Sequence, residues 1–195
     1  MNEIFVRVKN LIVSPKTEWE QISREENDIR TIAVKYLVVL ALIPAVCTFI
    51  GYSVFGYKIP LMGYVGSSLS MAFRQALVSY ISSLAGAALA AVVINLLAPS
   101  FSSQQNGGRA FALVVYSYVP MYVAGVLTII PSLAPITIIA GLYGLYLLYL
   151  GLPVMMQTPG EKHTSYFVVS LIVMIVASIV LSMILKPIFL ASVYY

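Results

Sequence analysis

The residues that could carry out chemistry are few in this chain, and their spacing forms no catalytic group. His163 is the only histidine and stands beside Glu161 and Lys162 in a polar break, so it is expected to be a solvated loop residue. Cys47 is the only cysteine and lies within an apolar run, which predicts a buried side chain. A zinc site needs several such ligands, and a nucleophilic serine needs a neighbouring base. We therefore predict no metal, no cofactor and no enzymatic activity.

The carboxylates are concentrated at one end of the chain. Six of the seven acidic residues precede residue 30, and the seventh is Glu161. None falls within the long apolar segments, where proton- or sodium-coupled transporters commonly place a carboxylate. The sequence therefore argues against a coupled pump.

Two polar residues inside an apolar segment are candidates for interaction. A charge in hydrocarbon costs at least roughly 2.5 to 3.5 kcal/mol on insertion scales. For Arg74 we favour an extended side chain that reaches the headgroups, and contact with an anion or a lipid phosphate stays an alternative. Asn95 is expected to hydrogen-bond to a neighbouring helix as part of the packing.

A second set of candidates combines aromatic residues and prolines in two consecutive apolar segments. Each proline removes a backbone donor and leaves a carbonyl without its helical partner, and kinked helices can line a cavity. Static kinks and aromatic packing are the favoured interpretation, and a ligand-lined cavity is the alternative. The members are Tyr116, Tyr118 and Pro120 in one segment, and Tyr146 and Pro153 in the next.

The elements that must position these residues are membrane-spanning helices. Hydrophobic residues make up 61% of the chain and charged residues 9%, with mean hydropathy +0.95, against roughly 25% charged residues in soluble domains. Five runs reach the roughly 20 apolar residues that span hydrocarbon, and they are 34–55, 71–98, 110–130, 134–156 and 165–184. We predict an all-α polytopic transmembrane bundle at 34–195, preceded by a cytoplasmic arm at 1–33. Small residues on the second span indicate close helix packing, within the bundle or in a homodimer.

The arm carries an amphipathic pattern of its own. Ile4, Phe5, Val8, Leu11 and Ile12 recur at helical spacing, which predicts a helix that lies on a lipid interface or packs on the bundle. Phe5 and Val8 are the candidate contacts of this stripe. After a break at Ser14-Pro15, Thr17 and Glu20 have the spacing of a capping box for a second helix. That helix carries Trp19, the only tryptophan, which we predict to be an anchor at headgroup level.

Orientation follows from the basic residues near the spans. If the chain crosses the membrane five times, eight Lys and Arg residues lie on the side of the N-terminus and three on the other side. The N-terminus is therefore expected in the cytoplasm and the C-terminus outside. The chain has no basic tract long enough for nucleic acid, and its net charge of +4 suits an anionic membrane surface.

Three parts of the chain have patterns found in a known family: Phe5 to Asn10 leading into Ser14 to Ile22, then Tyr116 to Pro120, and Tyr143 to Tyr146 through Gly151-Leu152-Pro153. In these stretches the chain resembles the Yip1 family, in particular its bacterial members. The resemblance implies a five-span protein with a cytosolic N-terminus, related to eukaryotic proteins that bind Rab-type GTPases in vesicle traffic. The arm here is much shorter than the eukaryotic one, so trafficking is not carried over. A bacterial cytoplasmic (inner) membrane is the expected location.

Two hypotheses about function follow. The first is a non-enzymatic protein of the Yip1 type, which acts through membrane lipids, a membrane-protein partner or a homo-oligomer. The second is a passive channel or permease for a neutral or lipid-like solute, built on the kinked third and fourth spans. A cavity bounded by Pro120, Pro153 and the tyrosines would favour the second, and a dry, close-packed interior would count against it.

Overall fold

The computed structural model describes residues 2–59 and 63–190. Its helices are α1 (Asn2–Val13), α2 (Pro15–Arg24), α3 (Ile29–Ile32), α4 (Val38–Phe55), α5 (Leu69–Leu97), α6 (Gly107–Ser117), α7 (Val119–Ala124), α8 (Thr137–Met156) and α9 (Gly160–Leu190). A π-helical turn at Ala33–Leu37 joins α3 to α4. Turns of 3-10 helix follow α5 at Ala98–Phe101 and α7 at Gly125–Ile129 and Pro131–Ile136.

Five helical segments of the described chain are long and apolar enough to cross a membrane. They are Ile29–Phe55, Leu69–Phe101, Gly107–Ile129, Thr137–Met156 and Gly160–Ile184. The prediction of an all-α bundle with about five spans is confirmed. The division between residues 33 and 34 falls inside the first of these segments. Residue 1 of the predicted arm and residues 60–62 and 191–195 of the predicted membrane domain lie outside the described residues.

Capping residues define where several of the helices begin and end. Asp28 accepts a hydrogen bond from the Thr31 amide at 2.8 Å, and Asn106 accepts one from the Arg109 amide at 3.0 Å, so both act as N-caps. Gly56 ends α4 with φ of 75°, a conformation that favours glycine. The α4–α5 connection then forms a short antiparallel ribbon of β1 (Tyr57–Ile59) and β2 (Gly63–Val65).

The connections gather at two opposite ends of the bundle. At one end, which we call the arm end, the backbone amide of Gln104 donates to the Met156 carbonyl at 2.8 Å, and Lys162 Nζ donates to Ser102 Oγ at 2.8 Å. The Asn27 carbonyl packs against Gly108 at the same end. At the other end, Gly51 packs against backbone carbonyls of the turn after α7. The arm therefore shares its end of the bundle with the α5–α6 and α8–α9 connections.

Helix α6 lies at the centre of the bundle, and every residue from Ala110 to Ser117 is buried. In contrast, α9 is peripheral and exposes long apolar side chains along most of its length. Pro120 stands at the start of α7, where the third span breaks into two helices. The connection from the third span to the fourth is a compact run of 3-10 turns.

Candidate functional site

The N-terminal arm is built into the core of the bundle. Leu11, Trp19 and Ile22 are all fully buried and belong to one hydrophobic cluster with residues of α4, α5, α6 and α8. The Trp19 ring fits over Gly151 of α8: a Cβ atom placed there would lie 2.7 Å from Cε2 of Trp19 and 2.6 Å from Cδ1 of Leu113. Glycine is required at this position because the indole ring occupies the space of a side chain.

The junction between α1 and α2 is held well away from the arm end. Tyr143 donates its hydroxyl to the Ile12 carbonyl at 2.7 Å. Thirteen residues separate Tyr143 from Met156, the last residue of α8, and this corresponds to about 20 Å along the helix axis. The arm is therefore a helical hairpin that runs alongside α8, with Trp19 at an intermediate level.

A cluster of charges fastens α1 to α2. Arg7 contacts Glu18 and Glu25 with nitrogen–oxygen distances of 2.7 Å, and Asn10 donates to the second oxygen of Glu18 at 2.9 Å. The side chains of Arg7 and Glu18 are only 12% and 5% exposed. Burial alone lowers the pKa of Arg7, but hydrogen bonds to Glu25 and Tyr36 and the charge of Glu25 outweigh it and raise the pKa above its usual value. Arg7 thus stays charged, and its two carboxylate partners offset the cost of burying it.

Aromatic rings form the floor beneath this cluster. The Tyr116 ring meets Tyr36 edge-on at 5.1 Å and Trp19 edge-on at 6.4 Å between centroids. The guanidinium carbon of Arg7 lies 5.7 Å from the centroid of Tyr116, within the range of a cation–π contact. Tyr116 therefore joins the arm to the central helix α6.

Above these rings a polar cleft opens between the arm and the first span. Its volume is about 520 Å³, within the usual range of ligand sites. The π-helical turn forms part of its wall and contributes Lys35 and Tyr36, and such turns are frequent at functional sites. The lining combines both signs of charge: Glu3, Glu18, Glu25 and Glu26 with Arg7 and Lys35. We call this space the arm cleft, and it is the candidate functional site.

A model of the Yip1 domain family matches residues 9–183, which include α2, the first four spans and all but the last residue of the fifth. The chain belongs to the Yip1 family. This Yip1 protein is also similar to inner membrane protein YohC of Escherichia coli strain K12, with 26% identity over 168 residues that cover 82% of this chain and 83% of the relative. The protein of the same name from E. coli O6:H1 strain CFT073 matches equally. No solved structure matches this chain.

The predicted contacts of the arm of this Yip1 protein divide between two faces. Val8 is partly buried against the core cluster, whereas Phe5 is 71% exposed. The prediction that Trp19 is a headgroup-level anchor is wrong, because its side chain is fully buried against α6 and α8. The predicted capping box is wrong as well, since α2 begins at Pro15, ahead of Thr17. The second helix itself is confirmed.

The tyrosine and proline candidates of this Yip1 protein have different surroundings in the described part of the chain. Tyr116 lines the arm cleft, Tyr118 meets the buried ring of Tyr122 edge-on at 6.2 Å, and Tyr146 is exposed beside Tyr143. Pro120 is buried at the start of α7, and Pro153 lies inside α8, which continues unbroken through it.

The neighbouring helices in this region are tightly packed. Gly144 of α8 lies so close to α6 that an added Cβ atom would be 2.7 Å from the Ser117 carbonyl oxygen. The buried residues Leu147, Leu148 and Leu152 fill the same interface. This packing counts against a solute pathway between the third and fourth spans.

The remaining candidates lie outside the arm cleft. Arg74 is partly buried near the start of α5, whereas it is the other terminus of α5 that lies at the arm end. Asn95 Oδ1 is buried and accepts no hydrogen bond within the described part of the chain, so the predicted cross-helix bond is not made by this atom. His163 was predicted to be a solvated loop residue, and this is wrong: it lies in α9, partly buried and stacked on Tyr149 at 4.1 Å between centroids.

Tyr116 is the one candidate from the sequence that lines the arm cleft, although the sequence also carries a signal for the charged residues of its lining. Glu3, Arg7 and Asn10 recur along one face of α1, and Glu18 of α2 is followed seven residues later by Glu25, which caps the end of that helix. Opposite charges at helical spacing on two short consecutive helices predict a paired hairpin. The prediction for the N-terminal helix rested on its apolar residues alone, and Arg7 lies outside that apolar stripe.

Proposed function

We propose that this Yip1 protein is a non-enzymatic membrane-organising protein of a bacterial inner membrane, which acts through contacts that its arm makes with lipids and with other membrane proteins. In this proposal the arm end faces the cytoplasm and the C-terminus lies outside. The excess of Lys and Arg on the arm side supports that orientation.

The observation that carries the proposal is the pair of apolar faces on α1. Leu11 is buried, and Ile4 and Val8 pack against the core, so one face holds the helix on the bundle. On the other face, Phe5 is 71% and Val13 69% exposed. Burying an exposed side chain of this size is worth roughly 1.5 to 3 kcal/mol. An apolar face on a helix that is already anchored is suited to contact with hydrocarbon or with a partner helix.

The test places a fluorescent label on this face in the full-length protein. Single cysteines replace Phe5 or Val13 in a Cys47→Ser background, and the labelled protein is reconstituted into vesicles with brominated lipids. We expect the brominated acyl chains to quench both labels. Glu161→Cys, in the exposed first turn of α9 at the arm end, is the control and should be quenched by aqueous iodide instead.

Quenching of the Phe5 and Val13 positions by iodide alone would contradict a lipid contact. A photo-crosslinking residue at Phe5 in living cells then separates lipids from protein partners. The control is the same residue at Val176, on the exposed apolar face of α9. Products that are common to both positions would indicate random membrane neighbours rather than a role of the arm.

A further inference from the structure

The charges in the arm cleft are only partly paired. Arg7 is fully engaged by the carboxylates of Glu18 and Glu25. Lys35, Glu3 and Glu26 also line the cleft, and within residues 2–59 and 63–190 none of these three forms an ion pair. The cleft therefore offers one cation and two carboxylates to a ligand.

Lys35 stands directly above the lipid-facing side of the first span. Val38 and Leu42, one and two turns further along the helix, are both exposed apolar residues. Leu42 then forms the near end of an apolar groove of about 410 Å³ between α4 and α5. The groove runs to Phe49 on the same helix and has Ala45 and Ala76 among its lining residues.

The spacing of the two sites matches one leaflet of a bilayer. Leu42 lies seven and Phe49 fourteen residues beyond Lys35, or about 10 and 21 Å along the helix at 1.5 Å per residue. Half of the hydrocarbon core measures about 15 Å. An acyl chain that starts near Lys35 would therefore end within the groove.

We propose that the arm cleft and the groove together bind one phospholipid with a zwitterionic phosphate–ammonium headgroup. The phosphate pairs with Lys35, the primary ammonium pairs with Glu26 and Glu3, and an acyl chain follows the exposed side of α4 into the groove. This inference rests on the proposed function and names the lipid class that the arm region selects.

The charges decide between headgroups. The headgroup of phosphatidylglycerol would satisfy Lys35 with its phosphate but has no ammonium to pair with Glu3 and Glu26. A primary ammonium donates charge-assisted hydrogen bonds to carboxylates, which a quaternary ammonium cannot do. A soluble phosphate–ammonium compound would fit the arm cleft but leave the apolar groove unused. Phosphatidylethanolamine is therefore the matching probe.

The test measures lipid binding to the delipidated full-length protein in detergent. Phosphatidylethanolamine, phosphatidylglycerol and phosphatidylcholine with identical acyl chains are titrated, and bound lipid is counted by native mass spectrometry. We expect phosphatidylethanolamine to bind at least tenfold more tightly than the other two. Equal binding of all three would overturn the proposal.

Charge variants locate the site. Lys35→Gln should weaken phosphatidylethanolamine binding about tenfold, and Glu26→Gln should reduce the preference for it over phosphatidylglycerol. Lys16→Gln removes the same charge from an exposed position of α2, outside the cleft lining, and should leave binding unchanged. An equal effect of Lys35→Gln and Lys16→Gln would overturn the proposal. So would phosphoethanolamine without acyl chains if it bound as tightly as the lipid.

The lipid-binding and label-quenching experiments can fail separately. If the labels at Phe5 and Val13 are quenched by brominated lipid but no headgroup is selected, the arm contacts lipid and only the specific site is refuted. If headgroup selection is observed while those labels report water, the cleft site stands and the lipid-embedded arm is refuted.

Discussion

Replacing Gly151 with alanine tests whether the arm is seated on α8 as the structure describes. The added Cβ atom would lie 2.7 Å from Cε2 and 2.9 Å from Cδ2 of Trp19. Contacts below 3.0 Å are not tolerated, and the indole ring is rigid, so the tryptophan must move. Leu113 Cδ1, at 2.6 Å, blocks the space on the other side.

The size of the effect follows from the cost of overpacking a core, which is typically 1 to 3 kcal/mol. Alanine also favours the helix over glycine by about 1 kcal/mol. That gain applies to α8 whether the arm is docked or not, so it does not offset the clash. We therefore expect the ratio of undocked to docked arm to rise by roughly 5- to 150-fold.

Trp19 reports this change without any added label, since it is the only tryptophan. In proteoliposomes, the wild-type ring is fully buried and should resist quenching by acrylamide and by brominated lipids. Gly151→Ala should shift the emission maximum and expose the ring to one of the two quenchers. Gly141→Ala on the same helix is the matched control, because a Cβ atom there meets nothing within 4 Å.

Identical emission and quenching for the two alanine variants would refute the docked arrangement of the arm. A loss of folded protein in both would point to α8 itself rather than to the docked arm. Thermal unfolding of the two variants separates these cases, since only Gly151→Ala is expected to change Trp19 before the bundle unfolds.

Three further predictions concern the fastening of the arm and the start of the first span. Tyr143→Phe removes the hydrogen bond to the Ile12 carbonyl. Amide exchange at the α1–α2 junction should then accelerate by roughly 2- to 12-fold, which corresponds to about 0.5 to 1.5 kcal/mol for one hydrogen bond. Unchanged exchange in the variant would exclude this hydrogen bond. Arg7→Gln leaves the carboxylate of Glu18 buried without its cation, so protease cleavage of the arm should become faster. An unaltered cleavage rate would show that the charge cluster does not hold the arm on the bundle. Hydrogen bonds from the hydroxyl and the backbone amide of Thr31 hold the pKa of Asp28 below its usual value. The Asp28 cap therefore stabilises α3 fully at a pH above the usual pKa, and this stabilisation is lost as the pH falls through the lowered pKa of the folded protein. Amide exchange in α3 should speed up at acidic pH, and Asp28→Asn should abolish that pH dependence; persistence in the variant would assign it to another group.

The spans could be predicted from the sequence because length and hydropathy suffice to define a membrane-crossing helix. Their boundaries could not, since the caps are polar. Asp28 and Asn106 extend the first and third spans into stretches that hydropathy counts as loop. The β ribbon was missed for a related reason: strands of three residues carry almost no periodicity.

The packing of the arm depended on residues that are distant in sequence. Trp19 was interpreted from the general preference of tryptophan for the headgroup region, but its site is formed by Gly151 and Leu113, which are more than ninety positions away. A hydrophobic stripe predicts that a helix has an apolar face and does not say what covers it. Phe5 and Val8 illustrate this, because adjacent members of one predicted stripe face opposite environments.

The arm places a carboxylate, that of Glu18, against the core of the bundle. No acidic residue occurs within the apolar runs, yet α2 brings Glu18, nearly fully buried, beside α6 through Arg7 and the Tyr116 ring. Both oxygens of Glu18 accept hydrogen bonds from α1, one from Arg7 and the other from Asn10. Removing one partner of a buried ion pair costs about 3 to 5 kcal/mol, so Glu18 is suited to fastening the arm. Among the described residues that line the arm cleft, Lys35 of the first span and Glu3 and Glu26 of the arm form no ion pair, and these are the groups of the cleft that can meet a ligand.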